Sequence, residues 1–190
     1  MTDILMAENK DTILKAQEGD MFAFRALVDE HKEQAVRIAY SITGNLADAQ
    51  DVAQEAFIRV YKNINSFRFN SRFSTWLYRI VVNLGHDFLR KRIRSKIILS
   101  NDNVALEEQT KDEKGVDPAK KLISEELKKK IEETVTFLPE KQRIAFSLKY
   151  KKDMKIREIA QVMGISISSV KVHLFRAIDK MQKKLGEYVR

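Results

Sequence analysis

The chain has 190 residues and a net charge of +8, which leaves room for one domain or two small ones and favours an anionic partner such as nucleic acid or an acidic membrane surface. It contains no cysteine, which excludes disulfides, thiolate chemistry and thiolate zinc sites. The N-terminal MTDILMAENKDTILK carries acids and no long apolar core, and no apolar run is long enough to span a bilayer, so neither a signal peptide nor membrane insertion is expected and a cytoplasmic protein is the default.

The pattern is helical throughout. Pro occurs only twice and Gly six times, mostly at boundaries, and no β pattern, internal repeat or low-complexity tract is present. Gly19-Asp20 precedes a periodic run through Phe22, Phe24, Leu27, Val28, Val36, Ile38, Ala39 and Ile42, and Thr43-Gly44-Asn45 stops it. A second helix is predicted from about Ala47 to Ile64. On it Asp48, Asp51, Gln54 and Glu55 share one face, opposite Val52, Ala53, Ala56, Phe57 and Val60. Such an acidic face suits a basic protein surface, or is simply solvated.

A loop from Asn65 to Arg72 leads into a helix starting near Phe73, with Ser71 or Ser74 as possible cap. Phe67, Phe69, Phe73, Trp76 and Tyr78 fall within twelve residues, and the helix ends in the basic run Arg90, Lys91, Arg92, Arg94. Aromatics stack on unpaired bases and a basic helix tracks phosphates; an aromatic cluster also serves as plain core. A period of 3.6 divides the helix. Phe73, Leu77, Ile80, Val81, Leu84 and Phe88 form the buried side, with Thr75, Arg79, Asn83, His86 and Arg90 opposite and Trp76 and Tyr78 on the flanks. The polar stripe and the loop with Phe67, Arg68, Phe69, Asn70 and Arg72 are the candidate strand-binding surface.

Residues 100–118, SNDNVALEEQTKDEKGVDP, carry a net charge of −4 and almost no large apolar side chains. They read as a tether between a first lobe, residues 1–96, and a second, residues 119–190, with 97–118 as the linker. Residues 119–190 carry +9. Asp117-Pro118 opens a helix to about Phe137, Leu138-Pro139-Glu140 starts the next, and two short helices near Ile156–Met163 and Ser168–Leu185 hinge at Gly164. Ile159, Ala160, Gly164, Ile165, Val170 and Leu174 have helix-turn-helix spacing, with Ser166 or Ser168 as cap. The outward residues of the second helix are Ser168, Ser169, Lys171, Val172, His173, Phe175 and Arg176.

No enzymatic signature accompanies these features. The histidines His31, His86 and His173 are scattered, and no P-loop, dinucleotide fingerprint or G-x-S-x-G is present, so no catalytic residue, metal or cofactor is expected.

The run DAQDVAQEAFIRVYKNINSFRFNSRFSTWLYRIVVNLGHDFLRKR resembles domain 2 of bacterial RNA polymerase sigma factors of the extracytoplasmic function (ECF) class, group 4 of the sigma-70 family, and REIAQVMGISISSVKVHLFRA resembles their domain 4. The resemblance covers nearly the entire chain and leaves no room for a folded domain 3. It implies an all-α, two-domain, non-catalytic specificity subunit of RNA polymerase. It further implies that Asp48, Asp51, Gln54 and Glu55 dock on the clamp coiled coil and that domain 4 meets the flap. The non-template −10 strand would fall to Phe67, Arg68, Phe69, Asn70, Arg72, Trp76, Arg79, Asn83, Arg90 and Lys91. The −35 duplex would fall to Ser168, Ser169, Lys171, Val172, His173, Phe175 and Arg176. An anti-sigma factor, often membrane-anchored, is implied as inhibitor, and the acidic linker, with Glu107, Glu108, Asp112 and Glu113, is expected to thread a basic channel. Family members often carry Gly-Thr where this chain has Ser168-Ser169, and Ser-Arg where it has Val172-His173, so the −35 sequence does not follow. A stand-alone helix-turn-helix regulator would explain only the second lobe, and an RNA-binding helical protein would leave the helix-turn-helix spacing to chance.

Overall fold

The computed structural model describes residues 2–99, 130–131, 133–150 and 152–186, and the described residues are helices and their connections. The start of the helix expected from Asp117-Pro118, and most of the acidic linker with its four named acids, lie outside the described residues, while residues 130–131 and 133–136 of that helix are helical. The first lobe contains α1 (Thr2–Gln17), α2 (Met21–Thr43), α3 (Leu46–Asn63), a 3-10 turn at Ile64–Ser66, and α4 (Phe73–Leu99). The second contains a helical stretch before Phe137, then α5 (Glu140–Tyr150), α6 (Ile156–Met163) and α7 (Ile167–Gly186).

Local chemistry sets the boundaries. The Asp20 carboxylate accepts from the N–H groups of Phe22 and Ala23 (2.8 and 3.1 Å) and so starts α2. Gly44 ends it in the left-handed region, φ 72°, and the Asn45 side chain accepts from Asp48 N–H (3.0 Å) to start α3. Between α6 and α7, Gly164 takes φ 64°, and Ser166 Oγ accepts from Ser169 N–H (3.1 Å). That pairing assigns the cap to Ser166 rather than Ser168. α4 continues through Leu99, three residues into the segment expected as linker.

α2, α3 and α4 pack on one another, with α1 against α2. Ala35, Ile38, Ala39, Ala49, Ala56, Val60, Leu77 and Val81 are fully buried among them. Tyr78 also belongs to this core; its hydroxyl lies 3.3 Å from His31 Nδ1. Small residues bring the helices close. A methyl group on Gly85 of α4 would sit 2.9 to 3.3 Å from Cδ1, Cγ2 and Cβ of Ile42 on α2.

The two lobes are not held apart. α6 packs against α4 and α5 against α2, and Ile144, Leu148, Ile159 and Val162 join the same hydrophobic cluster as the first-lobe core. Burial of this kind stabilises by about 25 cal/mol per Å² of apolar surface.

Candidate nucleic-acid interface

The loop after α3 is shaped from beneath. Phe67 N–H donates to Ile64 O (3.0 Å), closing the 3-10 turn, and Phe67 turns inward, 4% exposed. Its ring lies 4.9, 5.8 and 5.4 Å from those of Phe69, Phe73 and Trp76. Phe67, expected on the strand-facing loop, is therefore the buried floor of the aromatic cluster, because the turn points it into the core beneath Phe69. Arg68, Phe69 and Asn70 are exposed. Phe69 adopts φ 56°, a left-handed conformation that disfavours a residue with a Cβ and persists where surrounding contacts over-determine it. Trp76 is half-buried beside Phe67 and Phe73.

Along α4 the polar stripe is narrower than its period suggests. Arg79, Asn83, Arg90 and Lys91 are exposed, and Arg90 is paired with Asp87. Thr75 is 2% exposed. His86 is half-buried, its Nε2 2.9 Å from Glu140 Oε1 of α5 but not aligned for a hydrogen bond. A 3.6-residue period cannot register a second lobe packed on the helix's polar side.

On α7, Ser168, Lys171, Val172, Phe175 and Arg176 are exposed while Val170, Leu174, Ala177 and Met181 are buried. Phe175 shows 73% of its surface, a large apolar group beside exposed Lys171 and Arg176. Ser169 is half-buried, with its hydroxyl 2.8 Å from Ser166 Oγ, so capping already occupies it. His173 is half-buried too. Burial, then Lys141 and Arg176, hold its pKa below the ordinary value, so it contributes little positive charge at neutral pH.

The acidic face of α3 divides similarly. Asp51, Gln54 and Glu55 are exposed, with Glu55 bonded to Arg59 (3.0 Å) one turn on. Asp48 is half-buried and paired with Arg92 of α4 (2.9 Å), so it ties the start of α3 to the end of α4. Beside Gln54 runs an apolar groove of ≈ 570 Å³ between α2 and α3, lined by Phe24, Val28, Val36, Phe57 and Tyr61 among others. Phe24 and Tyr61 meet edge to face there at 5.0 Å. Periodicity alone assigned Phe24, Val28 and Val36 to a packed stripe. The surplus width of that stripe, more than one neighbouring helix can cover, was the available signal for a groove.

Among the described residues, polar contacts join the lobes across these surfaces, three of them as follows. Glu158 Oε1 lies 3.2 Å from Arg72 Nε, while its other oxygen accepts from Lys155 N–H (2.8 Å) to cap α6. The second is the His86–Glu140 approach. The third is Arg143 of α5, which donates from Nε to Ser41 O at the end of α2 (2.6 Å).

Residues 27–95 match the family model "Sigma-70 region 2" and residues 128–181 match "Sigma-70, region 4". The chain is 36% identical to the ECF RNA polymerase sigma factor SigW of Bacillus subtilis (strain 168), over 94% of this chain and 97% of that one. It is 33% identical to the ECF RNA polymerase sigma-E factor of Escherichia coli (strain K12), over 100% and 97%. Among solved structures it is similar in fold to the sigma factor RpoE of Bartonella quintana, determined with the anti-sigma factor NepR, at TM-score 0.66 and 19% identity over 86% of this chain and 96% of that one. Both lobes match in order, which sets aside a stand-alone helix-turn-helix regulator.

Proposed function

The chain belongs to the sigma-70 family, among its ECF RNA polymerase sigma factors, and we propose how its surfaces divide the work of starting transcription. As such a factor it binds core RNA polymerase and directs it to promoters. It acts as a non-catalytic specificity subunit in the cytoplasm; none of its described helices is long and apolar enough to cross a membrane. Domain 2, residues 1–96, carries polymerase docking and strand capture, the segment 97–118 links, and domain 4, residues 119–190, reads duplex.

Asp51, Gln54 and Glu55 meet basic side chains of the polymerase clamp coiled coil, and the adjoining groove takes apolar ones. Asp48 acts through its pairing with Arg92. Arg68, Phe69 and Asn70, with Arg79, Asn83, Arg90 and Lys91 behind them, hold the non-template −10 strand. Flipping one base out costs about a few kcal/mol, and stacking on an exposed aromatic returns about 1–3 kcal/mol per base. Phe69 and half-buried Trp76 are the aromatics available; Phe67 serves from below. Exposed Lys171, Val172, Phe175 and Arg176 enter the −35 major groove, with Ser168 at the helix start.

The docked arrangement of the two lobes is a resting form. Sites 25 base pairs apart lie about 85 Å apart along B-DNA, whereas a compact chain of this length has a radius of gyration of about 16 Å. Reading both sites at once therefore requires the lobes to part. Arg72 then leaves Glu158 for a phosphate. An anti-sigma factor, of the kind bound to the Bartonella quintana protein, would act by closing off the same domain faces.

The observation that carries this reading is the coexistence in one chain of an exposed strand-facing loop with its basic helix and an exposed recognition helix. Mixing the purified chain with core polymerase and promoter DNA tests it. Stable joining and promoter-dependent transcripts are expected; failure to join the polymerase together with unaided shifting of duplex DNA would refute it.

A further inference from the structure

α1 lies outside the residues matched to region 2, which begin at residue 27. Its last residue nevertheless reaches the strand-facing loop. The Gln17 side-chain amide donates to two main-chain carbonyls, Ile64 O (2.9 Å) and Phe67 O (3.0 Å). These carbonyls bracket the 3-10 turn from which the loop departs. Two turns earlier on the same face of α1, the Lys10 ammonium stands 5.8 Å from the centre of the Phe69 ring. Ile13 and Ala16, buried at 3% and 4% exposure, seat this face of the helix on the core.

We propose that Gln17 is a positioning residue for strand capture: its amide clamps both ends of the 3-10 turn and so sets the height and direction at which Arg68, Phe69 and Asn70 meet an unpaired base. The proposal rests on the reading of that loop as the −10 strand site. The chemistry requires a double donor. One planar NH₂ group satisfies two carbonyls that diverge from a tight turn, and the Phe67 carbonyl has no main-chain donor of its own among the hydrogen bonds described. A loop whose Phe69 is held at φ 56° relaxes toward ordinary conformations when its anchor is released. A side chain at position 17 too short to reach the turn, or one without donors, frees the turn without disturbing the apolar seat of α1.

Holoenzyme reconstituted from core polymerase and full-length chain provides the test. The probe is a forked promoter selected from random DNA with wild-type holoenzyme, its non-template −10 strand left unpaired. Gln17→Met, which keeps length and loses both donors, and Gln17→Glu, which sets carboxylate oxygens against carbonyls, should weaken fork binding about tenfold. Gln17→Lys, which restores N–H donors, should recover most of the loss. The deficit should vanish on a fork whose −10 bases are abasic, and polymerase affinity and −35 duplex retention should stay at the wild-type level. Phe69→Ala and Asn70→Ala separate the two levels of the argument. If they leave fork binding unchanged, the loop is not the strand site and the proposal falls with it. If they weaken binding while Gln17→Met does not, the clamp alone is overturned. Equal loss on intact and abasic forks, or lowered polymerase affinity, would make Gln17 a folding residue and overturn the proposal as well.

Discussion

Replacing Arg143 with Met probes how the two domains are held together. The substitution keeps the aliphatic stem and removes the guanidinium. In the docked form Arg143 Nε donates to Ser41 O (2.6 Å) and an Nη to Thr136 O (3.0 Å). Ser41 lies in the last turn of α2, where carbonyls lack intrahelical partners and no basic side chain of that helix is present. Domain 4 thus supplies the cationic cap that α2 lacks. A hydrogen bond to a charged group contributes about 1.5–3 kcal/mol and a cation at a helix C-terminus about 0.3–1 kcal/mol. Burial opposes these gains, and it lowers the Arg143 pKa from its ordinary value. The net loss on substitution is then about 1–3 kcal/mol, or about 5- to 150-fold in the ratio of docked to open forms.

The chain has no native cysteine, so Lys62→Cys and Lys180→Cys, both at exposed positions, accept a dye pair cleanly. Energy transfer should fall in the Arg143→Met protein. Because apparent affinity scales with the open fraction, tight two-domain binding to polymerase should strengthen by the same factor even where the open form is rare. Retained −35 duplex binding guards against damage inside domain 4 from loss of the Thr136 contact. Unchanged energy transfer and unchanged polymerase affinity would refute the idea that this contact sets the docked state.

Two further outcomes follow from the core. His31 is buried, its Nδ1 near Tyr78 and its Nε2 without a hydrogen bond, 3.8 Å from Glu30. Burial chiefly, with Lys152, lowers its pKa, and Glu30 partly opposes them. The unfolded chain therefore takes up this proton first, so stability is complete above the unfolded value of about 6.5 and declines as the pH falls below it. Thermal unfolding from pH 7.5 to 5.5 should show that decline, and His31→Gln should flatten it; equal slopes would refute the assignment. At Gly85, Ala adds about 1 kcal/mol of helix preference, yet its methyl meets Cγ2 and Cβ of Ile42 at 3.1 and 3.3 Å as well as the movable Cδ1 at 2.9 Å. Overpacking costs about 1–3 kcal/mol, so Gly85→Ala should lower the denaturant midpoint, and a raised midpoint would show that α2 and α4 can separate freely.

Several features of the molecule were legible locally. The Asp20, Gly44 and Asn45 boundaries, the Gly164 hinge and the buried side of α4 at Phe73, Leu77, Val81 and Leu84 are all set by groups within a few residues of one another. α1 escaped because MTDILMAENKDTILK has too weak an apolar stripe to signal a helix; its docking on α2 supports it. Thr75, His86 and Asp48 fell on polar stripes by period; Thr75 is buried, and His86 and Asp48 meet Glu140 and Arg92 of distant segments.

By itself the sequence determined the helical class, the two matched domains and the exposure of Ser168, Lys171, Val172, Phe175 and Arg176 on α7, because hydrophobic period, caps and glycine conformations act over one or two turns. Only the tertiary structure decided that Phe67 lies under the loop rather than on it. It likewise decided that Gln17 grips the turn from 47 and 50 residues away, and that Arg143 caps a helix of the other domain. Those contacts depend on which surfaces meet, and a side chain's neighbours across a packed interface leave no periodic trace in the chain that supplies it.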